Sequence, residues 1–225
     1  MRLRLIGVFL VVGVVLVFAG SGYLYPATWN YRITIEVETP EGLKAGSAVR
    51  QVKAFRPMAL NPDVPNIKYL VLGEAVVVDL GERGVLFSII RPRSYEEFFN
   101  AFPFNGTDQH KKLEFYNNIK LGEKAELKST LPRLVMFRDL HEPISVVGVD
   151  VDNMGEVFGQ GVNLKSITIE KTNDPVTYGD VRKKLTWLSD YYDKRLDSSR
   201  VGWLDSSNPT ANSLSAGAFS PREER

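Results

Sequence analysis

The chain has 225 residues with 28 Lys and Arg against 27 Asp and Glu, and setting aside Arg2 and Arg4 leaves 26 basic against 27 acidic side chains. A balance this even gives no electrostatic case for nucleic-acid binding, which usually needs a concentrated basic face, so no nucleic acid is expected as a partner. With no cysteine, thiol catalysis, cysteine-held metals and lipid anchoring through an N-terminal cysteine are excluded, while the 44% apolar share is that of an ordinary globular protein.

Met1-Arg-Leu-Arg4 forms a basic head, and Leu5 to Ala19 follows without one polar side chain. Gly20-Ser-Gly22 comes next, then a belt of Tyr23, Tyr25, Trp29 and Tyr31. Leu5 to Tyr25 is 21 residues, which as a helix reaches about 31 Å and crosses a hydrocarbon core. Residues 1–25 are therefore read as a signal-anchor or transmembrane helix contacting the membrane through residues 5–25. Arg2 and Arg4 stay in the cytoplasm, and the bulk stands on the periplasmic side of the inner membrane. The small residues Val17, Ala19 and Ser21 keep a second reading open, in which residues 1–19 or 1–21 are cleaved and the product is soluble in the periplasm. A disulfide-free exported domain fits a bacterial periplasm.

Residues 26–196 are expected to form one β-rich exported domain, and 197–225 a disordered tail. Tyr31 to Glu38 alternates, with Tyr31, Ile33, Ile35 and Val37 on one face, and Ser47 to Ala54 reads as the returning strand of a hairpin. Residues 57 to 65 are loop by composition. Glu74 to Leu80 and Gly84 to Ile90, joined by Gly81-Glu-Arg-Gly84, are apolar on both faces and are expected to be central strands. Ser94-Tyr-Glu-Glu97 reads as a capping box opening a short helix that Pro103 stops. Leu134 to Phe137, Ser145 to Val149 and Lys165 to Lys171 are further strands, and one helical turn follows Asn153. Thr177 with Asp180 opens a last helix with Val181, Leu185, Leu188, Tyr192 and Leu196 on its buried stripe. Ile33-Thr-Ile-Glu36 returns as Ile167-Thr-Ile-Glu170, which common strand vocabulary explains. Six or seven strands with two or three short helices make an α+β fold: an antiparallel sheet or a decorated β-sandwich.

Chemistry-bearing motifs are sparse. Asp150-Val-Asp152-Asn153 opens like a calcium loop, but Met154 and Gly161 stand where ligands are required, so a capped turn is the better reading. His110 and His141 have no metal-ligand spacing, and no nucleophile elbow or phosphate-binding glycine pattern is present. No catalytic, metal or cofactor residue is assigned. The candidate interaction surface is the aromatic surplus: Phe98, Phe99, Phe102, Phe104, Phe115 and Tyr116, with Trp187 and Tyr191 outside the stripe of the last helix.

Tyr31 to Gly42, Gly46-Ser-Ala-Val49, Gly73 to Leu80, Leu131-Pro-Arg-Leu-Val135, Gly159-Gln-Gly-Val162 and Asp174-Pro-Val-Thr177 with Leu185 to Leu188 resemble a family of bacterial exported or membrane-anchored proteins. The resemblance spans most of residues 30 to 190 and implies an envelope setting, without an activity or a catalytic residue. The expected function is a non-enzymatic, membrane-tethered domain binding a partner protein or ligand in the envelope. Two alternatives stay open. One is a periplasmic hydrolase or metal-dependent enzyme using His141 with Asp139 and Glu142, and with Asp150 and Asp152 as further candidates. The other is a lipid- or hydrophobe-binding module built on the Phe98–Tyr116 cluster.

Overall fold

The alternation from Tyr31 onward forms β1 (Ala27–Thr39), and the turn at Pro40 and Glu41 returns the chain as β2 (Gly42–Phe55). β3 (Lys68–Leu72) follows. The two apolar runs are β4 (Val76–Asp79) and β5 (Val85–Ser88), joined through a 3-10 turn at Gly81–Arg83. Helix α1 (Tyr95–Ala101) stops before Pro103, and α2 (Gln109–Asn118) is capped by the Asp108 carboxylate, which accepts from the His110 and Lys111 N–H groups. Three short strands come next, β6 (Lys124–Glu126), β7 (Leu134–Phe137) and β8 (Val146–Val149). The expected single helical turn is α3 (Gly155–Phe158), and β9 (Asn163–Thr172), α4 (Asp180–Lys184) and α5 (Pro209–Ser213) complete the chain. This computed structural model describes residues 27–55, 67–200, 202 and 207–222. The expected membrane segment 1–25 and the expected loop at 57–65 lie outside the described residues.

The fold is α+β and β-rich, with two antiparallel sheets ordered β3-β2-β1-β9-β6 and β4-β5-β7-β8. The described residues thus carry nine strands and five short α-helices, more than expected, because β3 and β6 are too short to show a period in the sequence. The repeated Ile-Thr-Ile-Glu segments are neighbours: Ile33 pairs with Ile169 and Ile35 with Ile167, so the same alternation faces the same core twice. One cluster is filled by Ile33, Ile35, Ile167 and Ile169 from the first sheet and by Val76, Val78, Leu86 and Leu134 from the second. A second cluster covers the opposite face of the second sheet, where Val85, Phe87, Val135 and Phe137 meet Val181, Leu185, Leu188, Leu214 and Phe219. This accounts for β5, which is buried on both faces. The expectation that β4 is also central is corrected: it is an edge strand, with Val77 only half covered.

Two expectations at the C-terminus are also corrected. The last helix stops at Lys184, and Leu188–Tyr191 is a separate 3-10 turn. Thr177, expected to open that helix, is instead spent on the edge of β2, its N–H on Val49 O and its hydroxyl accepting from Val49 N–H. Where it is described, the expected disordered tail is ordered and anchored by buried residues between 208 and 220. Asn208 caps α5 by accepting from Ala211 N–H, Pro209 supplies the first helical φ, and Ala211, Leu214, Ala216 and Phe219 are buried. Phe219 O accepts from Ala75 N–H and Ala218 O from Ile90 N–H at 2.7 Å each, sealing the ends of the β4–β5 hairpin. Phe219 from this Ser/Ala/Gly-rich stretch packs against the Phe87 and Phe137 rings, and the small residues Ala211 and Ala216 join the same cluster.

The two sheets approach closely at Gly46, where a Cβ would stand 2.0 Å from Val77 O. Gly46→Ala is expected to cost at least about 3 kcal/mol in chemical denaturation, because backbone must move to admit the methyl. Deleting residues 207–225 exposes Phe87, Val135 and Phe137, and cooperative unfolding should be lost by calorimetry.

The β1–β2 turn is stapled by Arg83, which clamps the Glu41 carboxylate through Nε and Nη2 at 2.8 and 2.7 Å while Nη1 donates to Phe158 O. Hydrogen bonds from Arg83 hold the Glu41 carboxyl down to about 2. A depressed carboxylate stabilises the fold above its unfolded value of 4.5 and loses that contribution as pH falls through about 2. A side-chain NMR titration of Glu41 should show that low midpoint, and Arg83→Ala should return it to the ordinary carboxylate range.

Candidate functional site

The side chains on the inner face of β2 read Ala48, Arg50, Val52, Ala54, so the strand's own alternation drives an arginine into the core. Arg50 is 0% exposed. Its Nη1 donates to Glu97 Oε2 at 2.8 Å, Nη2 to Ser88 O at 2.9 Å and Nε to Glu74 O at 3.1 Å. The guanidinium on the first sheet therefore grips the end of β5, the residue entering β4 and helix α1. Gly73 leaves room for it, since a Cβ there would stand 3.2 Å from Arg50 Cγ.

Glu97 is nearly as buried and also lies 3.3 Å from the Tyr31 hydroxyl. Burial pushes its carboxyl above the usual carboxylate range, and hydrogen bonds from Arg50, Ser94 and Tyr31 oppose that shift. The expected capping box is not formed. Ser94 has helical dihedrals, its Oγ accepts from Arg91 N–H, and Glu97 turns inward to Arg50. On the other flank of Tyr31, Lys171 lies in register on β9, with Nζ donating to Tyr116 O at 2.7 Å and resting over the Trp29 and Phe98 rings. Arg50, Tyr31 and Lys171 thus make one cross-strand row inside the core.

Glu74 carries the network further. Its carboxylate accepts from Gly179 and Asp180 N–H at 2.9 Å each and from Val181 N–H at 3.4 Å, capping α4 from a distant part of the chain. Burial raises its carboxyl, and those three N–H groups oppose the rise. Neither Arg50 nor Glu74 was singled out from the sequence, although the phase of Arg50 among Ala48, Val52 and Ala54 was the available signal.

The aromatic candidates form a filled core more than a surface. Phe98, Phe102 and Tyr116 are buried, Phe99 and Phe104 are half-buried, and Phe115 is exposed. Phe99 stacks on Tyr116 with centroids 4.4 Å apart, and Trp29 packs against Phe98, Phe99 and Tyr116. Trp187 and Tyr191 are half-buried, and the Trp187 indole donates to Leu140 O. His141 is exposed, and the Asp139 carboxylate accepts from its backbone N–H at 2.8 Å. Asp150 accepts likewise from Asp152 N–H, but the expected cap from Asn153 is not formed: α3 starts after Met154 with no side-chain hydrogen bond at its N-terminus. Among the described residues no His, Asp and Glu group is placed to hold a metal ion.

A groove of about 660 Å³ runs between β3 and the C-terminal segment. Tyr69, Leu70, Val71 and Leu72 line it in unbroken sequence, which places the backbone edge of β3 along it, because successive strand side chains face opposite ways. Among the described residues β3 pairs only with β2. Ile90, Arg91, Arg195, Ser213 and Ala218 are among the remaining lining residues. Arg195 Nη1 donates to Ser213 O, and Arg133 Nη1 donates to Ser213 Oγ at 3.1 Å. Tyr69 OH and Arg195 Nε are shielded from solvent without a hydrogen-bond partner among the described residues. No family model matches the chain, and no curated protein or solved structure shows significant similarity to it.

The Arg50–Glu97 pair is expected to behave as a buried ion pair. Arg50→Ala should cost about 3–5 kcal/mol by stranding the Glu97 carboxylate, and the double variant Arg50→Met with Glu97→Leu should recover most of that loss in urea denaturation.

Proposed function

We propose that the chain is a single-pass envelope protein whose β-rich domain is held at the periplasmic face of the inner membrane and works there as a binding module. The carrying observation is the arrangement of the first strand. Fifteen uninterrupted apolar residues, Leu5 to Ala19, follow Arg2 and Arg4, and β1 begins at Ala27, only two residues beyond Tyr25. Two residues of extended chain span about 7 Å, so a membrane-crossing Leu5–Tyr25 helix sets the domain directly on the headgroup layer. Among the described residues no helix is long and apolar enough to cross a membrane.

The groove beside β3 is the surface best suited to a ligand. It combines a strand edge with donors that have no partner among the described residues, whereas the Phe98–Tyr116 cluster is occupied by its own rings. The enzymatic alternative at His141 draws no support from its surroundings, since the Asp139 carboxylate is committed to backbone. The test is carbonate extraction of native membranes with intact-mass analysis of the recovered chain. Retention in the pellet with Arg2 and Arg4 present is expected. A soluble product lacking the first 19 or 21 residues would remove the tether from the account.

A further inference from the structure

The geometry points to the groove beside β3 as a binding site for a phosphate-type oxyanion. Arg91 and Arg195 line the groove, and Arg133 joins them through Ser213. Among the described residues no carboxylate forms an ion pair with any of these three arginines, and no Asp or Glu lines the groove. Other arginines of the chain do hold carboxylates: Arg32 pairs with Asp174, Arg83 with Glu41, Arg93 with Glu96 and Arg222 with Asp193. Guanidiniums converging without a counter-charge repel one another, and an oxyanion between them removes that cost while accepting several N–H groups at once. Burial and the neighbouring Arg91 charge hold Arg133 below the usual guanidinium range.

Two unsatisfied donors lie in the groove wall, behind its solvent-facing surface. Tyr69 OH and Arg195 Nε are without partners among the described residues, and both side chains line this groove. Burial pushes the Tyr69 hydroxyl up to about 12, so near neutrality it keeps its proton and remains a donor.

Such an oxyanion has two sources. Ala27 pairs with Ala54 and Ala54 with Tyr69, so Tyr69 lies two strand spacings, about 10 Å, from the point where β1 begins. At that height a phospholipid headgroup is within reach, and a soluble phosphate presents the same chemistry. The lipid source rests on the tethered reading; the site does not.

The test uses the full-length chain in nanodiscs, following the Nε–H resonance of Arg195 by NMR. One arm titrates inorganic phosphate with phosphatidylcholine discs, and the other compares phosphatidylcholine discs with discs containing phosphatidylglycerol. Arg91→Gln is the informative variant, because Arg91 is exposed and its side chain holds no ion pair among the described residues. Its thermal unfolding should match the parent. A saturable response to inorganic phosphate, weakened at least tenfold in Arg91→Gln, supports the site with a soluble source. A response confined to phosphatidylglycerol discs and lost in Arg91→Gln supports it with a lipid source. An unmoved resonance in both arms, or a response that Arg91→Gln leaves intact, overturns the site. Should the chain prove cleaved near residue 19, only the phosphatidylglycerol arm falls with the tether.

Discussion

One guanidinium with no access to water ties the first sheet to the second sheet and to helix α1. Arg50 stands on the first sheet, yet its three observed hydrogen bonds reach Ser88 O, Glu74 O and the Glu97 carboxylate, all outside that sheet. Two of those acceptors flank the β4–β5 hairpin and the third belongs to α1. Glu74 in turn offers its carboxylate to the first N–H groups around α4, so polar contacts run from the first sheet through the second to the C-terminal segment. A charge sealed this way is costly once a partner is removed, which makes the layers mutually dependent. The Phe219 and Ala218 carbonyls close the same hairpin end from the C-terminal side.

The parts of the fold legible in the sequence are those where one physical rule acts alone. The β1–β2 hairpin follows from strict alternation and a Pro-Glu-Gly turn, and β5 from a run of apolar residues with a cover on each face. Where two rules compete, local pattern misleads. Ser94 and Glu97 have the spacing of a capping box, but a buried arginine outbids the helix terminus for the carboxylate. Thr177 has the chemistry of a helix cap, but Val49 at the end of the β3 pairing takes its N–H and hydroxyl. The C-terminal segment misled because small residues signal flexibility in isolation and close fit beside large rings. Asn208-Pro209 and the isolated Leu214 and Phe219 were the readable signs of packing.

The candidate site was less legible for a related reason. Aromatic crowding draws attention in a sequence, yet here it fills the core between Trp29 and α2. The groove is assembled from Tyr69, Arg91, Arg195 and Ser213, scattered along the chain, each ordinary in its local context. Its distinguishing property is missing pairing among the described residues, which only the fold displays: arginines without carboxylates, and donors shielded without acceptors. Placed within two strands of the start of β1, that groove joins the proposed tether to the proposed binding role.

The claim that one buried cation makes the layers a single cooperative unit is tested most directly by native-state hydrogen exchange. The backbone N–H groups of Ile33 in the first sheet, Phe87 in the second and Val181 in α4 should open with the same free energy and the same denaturant dependence. In the variant carrying Arg50→Met alone, Val181 should become separable from Ile33. Independent low-energy opening of Val181 in the parent protein, or unchanged coupling in the variant, would contradict the account.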